Sequence, residues 1–151
     1  MNVRDIMTEE VRSASPADSL VDVARMMRDL NVGTIPLCED ERLIGLITDR
    51  DIVVRCVADG HDLDACTARD FMSTDLVTIT PDTSTDEAMQ LMAKHQIRRL
   101  PVVEGNRLVG IVSLGDLAVE SRGVDSQEIK EGLKDISLPI HQTEGGIAKA
   151  A

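Results

Sequence analysis

The sequence is almost without aromatic residues, holding no Trp, no Tyr and a single Phe in 151 residues. Nothing is therefore available for nucleic-acid bases to stack on. A net charge of −11 also repels the phosphate backbones that a DNA- or RNA-binding protein must neutralise. Long hydrophobic runs are missing too, since no stretch approaches the roughly 18 to 20 apolar residues that span a bilayer. The opening Met-Asn-Val-Arg-Asp carries no signal-peptide core. Three cysteines, an odd number, do not make a disulfide framework and fit a reducing compartment. These absences lead to the expectation of a cytoplasmic protein with no nucleic-acid and no membrane partner. Hydrophobic residues still make up 42% of the chain, so its core must be filled by Val, Ile, Leu and Met.

What is present is a repeat. Leu43-Ile44-Gly45-Leu46-Ile47-Thr48-Asp49-Arg50-Asp51 returns 65 residues later as Leu108-Val109-Gly110-Ile111-Val112-Ser113-Leu114-Gly115-Asp116. The same offset carries Arg4-Asp5-Ile6-Met7 onto Arg69-Asp70-Phe71-Met72, Pro16 onto Pro81, Ser19 onto Ser84 and Pro36 onto Pro101. A match that holds register without a gap marks a duplication. Two units of about 55 residues would be marginal folders apart, so they are expected to share a core. The predicted organisation is residues 1–58, a connection 59–65, residues 66–122, and a C-terminal helix and tail over 123–151.

Within the first unit, Val11 to Ser15 reads as a brief strand. Ser19 and Asp22 cap a helix over about 18–30 whose apolar face is Leu20, Val23, Ala24, Met27 and Leu30. Gly33 breaks that helix. Thr34 to Cys38 and Leu43 to Thr48 follow as strands, and Asp49 to Asp51 open a second helix with acidic residues in its first turn. The second unit repeats the order, with Ser84 and Glu87 as the cap. A short helix is expected over Ser126 to Leu133, with a frayed tail from Gly145-Gly146. Each Gly-containing apolar strand ends on a hydroxyl residue and, three positions later, an Asp. Such strand ends are where open α/β sheets bind ligands.

Catalytic signatures are lacking. There is no Gly-rich phosphate loop and no Ser, His and Asp set with a nucleophile elbow, and His61, His95 and His141 fall in different elements. No enzymatic activity and no catalytic residue are expected.

The duplicated β-α-β-β-α unit, with a Pro in its second strand and a Gly-apolar-apolar-Thr/Ser-x-x-Asp ending, resembles the CBS domain, here as a tandem pair or Bateman module. Pro36-Leu37-Cys38, Leu46-Ile47-Thr48-Asp49-Arg50-Asp51 and His95-Gln96-Ile97-Arg98-Arg99 are similar to stand-alone bacterial CBS-pair proteins, among them the hypoxic response proteins. The resemblance implies an α/β (α+β) fold of two such repeats related by a pseudo-two-fold axis. It also implies a regulatory or sensor module that binds an adenosine-containing nucleotide (AMP, ADP, ATP, NAD or S-adenosylmethionine) in the clefts between repeats, with no required cofactor, and signals to a separate protein. Carried onto matching positions, one cleft takes Thr48 and Asp51 with Ile97, Arg98 and Arg99. The other takes Ser113 and Asp116 with Val32, Gly33 and Thr34. The two arginines lead to the expectation that the Asp51 cleft binds charged nucleotides more tightly, because guanidinium suits bidentate phosphate contact.

Two other readings stand beside this one. Cys56, His61 and Cys66, with Cys38 at a strand end, supply zinc-ligand chemistry or redox-active thiols, but their spacing matches no zinc knuckle, and the expectation is no metal. The chain is also expected to form a homodimer. Met-rich faces around Met26-Met27 and Met89-Met92 are the candidate contacts, and association alone could be its role.

Overall fold

In the computed structural model, residues 1–122 are described. The helix expected at Ser126 to Leu133 and the tail lie outside them. Helix α1 (Leu20–Leu30) starts where the Ser19 hydroxyl accepts the Asp22 N–H at 3.1 Å, and it ends at Asn31 in the left-handed conformation. Asn tolerates that conformation better than most residues. Asn31, not Gly33, therefore stops the helix. Strands β1 (Thr34–Glu39) and β2 (Arg42–Thr48) form a hairpin through Asp40 and Glu41, both at positive φ. A π-helix, Asp51–Val57, follows.

After the connection come a short helix α2 (Ala68–Phe71), helix α3 (Thr85–His95), strands β3 (Arg99–Glu104) and β4 (Arg107–Ser113), and helix α4 (Leu114–Arg122). The second hairpin repeats the first pair by pair at the 65-residue offset. Thr34 lies opposite Thr48 as Arg99 lies opposite Ser113, and both hairpins bulge at the equivalent place, Leu37/Cys38 and Val102/Val103. The first strand expected in each unit does not form. Ala14 makes a single parallel bridge to Leu37, and Ile79 one to Val102.

The four strands make one sheet in the order β1-β2-β4-β3. Its two hairpins are joined antiparallel at Arg42 and Arg107. Antiparallel strands that pair at their starts run away from each other, so Thr48 and Ser113 lie at opposite ends of the sheet.

The units exchange their lead-in segments. Val3 and Arg4 donate N–H bonds to the carbonyls of Thr83 and Pro81 in the second repeat, at 2.8 and 3.0 Å. Their counterparts Ala68 and Arg69 donate to Asp18 and Pro16 in the first, both at 2.9 Å. Thr8 bridges Ile111, and Ser73 bridges Leu46. Ion pairs Arg4–Asp82 and Arg69–Glu39 fasten the same crossings, though pairs this exposed contribute little.

The buried residues fall into two clusters instead of the single shared core expected. One gathers Leu20, Val23, Ile35, Leu37 and Ile47 around Ala68 and Phe71, and the other gathers Ala88, Leu100, Val102, Val112 and Leu117 around Val3. Each core is completed by the other unit's lead-in, so neither unit buries its apolar face unaided.

The crossings explain the two mid-strand glycines. A Cβ on Gly45 would stand 2.8 Å from Met72 Sδ and 2.9 Å from the Ser73 carbonyl oxygen. One on Gly110 would stand 2.7 Å from Met7 Sδ and 3.0 Å from the Thr8 carbonyl oxygen. Glycine inside a strand is a mark of such close approach. Of the expected Met faces, Met27 and Met92 are core residues. Met89 is exposed, and the other exposed large apolar side chains among the described residues are Met1, Val53, Val54 and Val57 of the π-helix, and Leu114. No helix among the described residues is long and apolar enough to cross a membrane.

Candidate functional site at the two strand ends

At the end of β2, Thr48 and Asp51 bond each other reciprocally. The Thr48 N–H donates to Asp51 Oδ2 at 2.9 Å, and the Asp51 N–H donates to Thr48 Oγ1 at 3.1 Å. Ser113 and Asp116 do the same at the end of β4, at 2.9 and 3.1 Å. The hydroxyl and the carboxylate three residues later form a capping box, which satisfies two N–H groups left over where the strand turns into the helix. This fixes both side chains at the sheet edge and uses one carboxylate oxygen of each Asp.

The flanking residues come from the same repeat. Thr34 is the register partner of Thr48, and the Asp49 N–H donates to the Gly33 carbonyl at 2.9 Å. Arg99 is the partner of Ser113, and the Leu114 N–H donates to the Arg98 carbonyl at 2.8 Å. Val32, Gly33 and Thr34 therefore stand by Thr48 and Asp51, while Ile97, Arg98 and Arg99 stand by Ser113 and Asp116. The crosswise grouping expected from the sequence is not the one found. The reason is the strand order, which puts each hairpin's open end at its own extremity of the sheet.

What does cross is the lead-in, which the repeat alone did not reveal. Met7 and Thr8 lie against β4 near Ser113, and Met72 and Ser73 lie against β2 near Thr48. Gly45 and Gly110 were the available signal for both. Each strand end is thus built from both repeats, although by other residues than those expected.

The two ends differ in charge and space. In the π-helix, Arg55 stands 3.8 Å from Asp51 Oδ1, donates to the Phe71 carbonyl at 2.9 Å and lies 5.9 Å from the Phe71 ring centre. It bridges the helix to the lead-in of the second repeat. The equivalent positions at the other end are Glu120 and Ile6. There a cavity of about 390 Å³ opens between Asp116, Val119 and Glu120 of α4 and Asp5, Ile6 and Met7 of the lead-in. A smaller one, about 200 Å³, lies between Leu43 and Ile44 of β2, Leu76 of the lead-in and Val103 of β3.

The cysteines are free thiols. Burial pushes the Cys56 thiol up, helped by the nearby Cys66 thiol and the carboxylates of Asp62 and Asp59. Burial also raises Cys38, against a hydrogen bond with Ser13. His61 packs its ring edge-on to Phe71, with centres 5.6 Å apart. Among the described residues no three His, Cys, Asp or Glu side chains converge where they could hold a metal ion.

Comparison with known proteins agrees with this architecture. The chain is 47% identical over 125 residues to the CBS domain-containing protein YhcV of Bacillus subtilis, covering 83% of this chain and 89% of that one. It is 36% identical over 138 residues to Hypoxic response protein 1 of Mycobacterium tuberculosis, covering 91% and 94%. Among solved structures, Hypoxic Response Protein I with two coordinated zinc ions superposes with a TM-score of 0.73 at 37% identity, covering 78% of this chain and 97% of that one. The CBS domain pair of protein MJ0100, in complex with 5-methylthioadenosine and S-adenosyl-L-methionine, gives 0.72 at 26% identity, covering 82% and 97%. The profile of the CBS domain matches twice, over residues 3–57 and 68–123, and the chain belongs to the CBS domain family as a tandem pair.

Proposed function

We propose that this CBS pair is a non-enzymatic cytoplasmic regulator that binds an adenosine-containing compound at its strand ends and passes occupancy to a separate protein. The observation that carries the reading is the twice-built Thr/Ser–Asp capping box, which holds a hydroxyl and a carboxylate rigidly at each sheet edge. A carboxylate oxygen in that position accepts a charge-assisted bond from a ribose hydroxyl. The adenosine compounds in the MJ0100 pair, a relative of the same fold, support the ligand class.

In this reading each site takes the residues of its own repeat. Ser113 and Asp116 work with Ile97, Arg98 and Arg99, and Thr48 and Asp51 work with Val32, Gly33 and Thr34. Phosphate favours the first set, which brings two arginines, Arg98 and Arg99, to the Ser113 strand end. The cavity of about 390 Å³ beside Asp116 is within the size range of small-ligand sites. Asp5, Asp116 and Glu120 make its lining acidic and neither arginine lines it, so it suits the uncharged nucleoside part and leaves phosphate to Arg98 and Arg99. Because each site also borders the other repeat's lead-in, a ligand there shifts the repeats relative to each other, and a partner protein can read that change. The exposed Val53, Val54 and Val57 make the π-helix the contact surface of a homodimer.

Zinc is the second reading, favoured by the 37%-identical neighbour that holds two coordinated zinc ions. On this chain it would draw on Cys56 and Cys66, whose thiols interact, with ligands beyond those two still to be supplied. Native mass spectrometry of the purified protein separates the readings. An added mass equal to an adenosine compound that survives chelator supports the first. Stoichiometric zinc with no nucleotide, together with no calorimetric heat from adenosine, AMP or ATP, refutes it.

A further inference from the structure

The two strand ends share a backbone but not their charges, and the difference centres on Asp49. A Cβ on Gly33 would lie 3.0 Å from Asp49 Oδ2 and 3.3 Å from its Cγ and Oδ1, so the carboxylate rests against the Gly33 backbone. The 2.9 Å bond from the Asp49 N–H to the Gly33 carbonyl holds the two residues together, and Oδ1 accepts the Arg50 N–H at 2.8 Å. Arg55, a cation of the following helix, is engaged by Asp51 and the Phe71 carbonyl. At the other end the same backbone bond joins Leu114 to Arg98. There the side chain in the Asp49 position is an exposed, uncharged Leu, and the Gly33 position carries a guanidinium.

We propose that Asp49 is a specificity-determining residue that bars phosphate from the Thr48–Asp51 end, so that the two ends sort adenosine compounds by charge. Phosphorylated compounds go to the end with Arg98 and Arg99, and unphosphorylated ones to the end with Asp49. The inference rests on the reading of both ends as adenosine sites. Its physical basis is Coulombic. One carboxylate about 5 Å from a phosphate charge weakens binding roughly fourfold in water-like surroundings, and more where the edge is desolvated.

The test isolates each end in turn by calorimetry with adenosine and AMP. With the second end disabled by Asp116→Ala, the protein is expected to bind adenosine more tightly than AMP. Adding Asp49→Asn, which keeps an oxygen acceptor for the Arg50 N–H, is expected to strengthen AMP about fivefold and leave adenosine within about twofold. With the first end disabled by Asp51→Ala, Leu114→Asp is expected to weaken AMP by a similar factor and spare adenosine. Acidic residues are favourable in the first turn of a helix, so that variant should fold. Equal changes for both ligands, or none, overturn the role of Asp49 while the binding reading survives. Absence of binding to every variant and to the unaltered protein overturns both.

Discussion

Gly45→Ala probes the crossing of the lead-ins, because the new methyl meets backbone as well as a side chain. The Met72 thioether at 2.8 Å can rotate away, but the Ser73 carbonyl at 2.9 Å cannot. That residue is tied to β2 by two bonds, Ser73 N–H to the Leu46 carbonyl at 2.8 Å and Leu46 N–H to the Ser73 carbonyl at 3.0 Å. Relief requires the lead-in to lift from the strand. Overpacking of this kind costs about 1 to 3 kcal/mol, and each weakened hydrogen bond adds about 1 kcal/mol. Replacing Gly by Ala returns about 0.4 to 1 kcal/mol through the unfolded chain. The net expectation is a loss of about 2 to 3 kcal/mol, or a fall in Tm of roughly 5 to 10 °C for a chain of this size. Circular dichroism melts of Gly45→Ala and Gly110→Ala would measure it, with Gly105→Asn as the control. Gly105 has a φ of 55° and nothing within 4 Å of the place a Cβ would take, and Asp40 occupies the equivalent turn position, also at positive φ. If Gly45→Ala melted at or above the unaltered protein while the control was neutral, the lead-in could not lie against β2 and the two-core architecture would be wrong.

Three further outcomes are expected. Ser19→Ala and Ser84→Ala each remove an N-cap acceptor and should cost about 1 kcal/mol in urea unfolding, while Ser19→Asp should cost little. Val54→Asp with Val57→Asp should shift sedimentation from dimer to monomer without lowering helical content, because both side chains are exposed in the single chain; a monomeric unaltered protein would refute the dimer face. For Cys56, burial raises the folded thiol above its unfolded value, so its contribution to stability is intact below the ordinary thiol pKa and is lost as pH rises toward the folded one. Tm should therefore fall at alkaline pH, and Cys56→Ala should flatten that fall; an unchanged slope would count against it.

Much of this molecule was written in its sequence because the relevant physics is local. The Ser19 and Ser84 caps, both hairpins and the helices beginning near Asp49 and Leu114 depend on neighbours a few residues apart, and the 65-residue offset carried each from one repeat to the other. The Thr48–Asp51 and Ser113–Asp116 turns were equally legible, since three residues separate hydroxyl from carboxylate. Their grouping with distant residues was not. Which arginine stands beside which Asp is decided by strand order, and β2 and β4 meet at Arg42 and Arg107 through contacts that no periodicity encodes. The exchange of lead-ins likewise depends on Val3 and Ala68 finding the opposite core. In the sequence it left only Gly45 and Gly110, whose missing side chains are explained by backbone arriving from the other repeat.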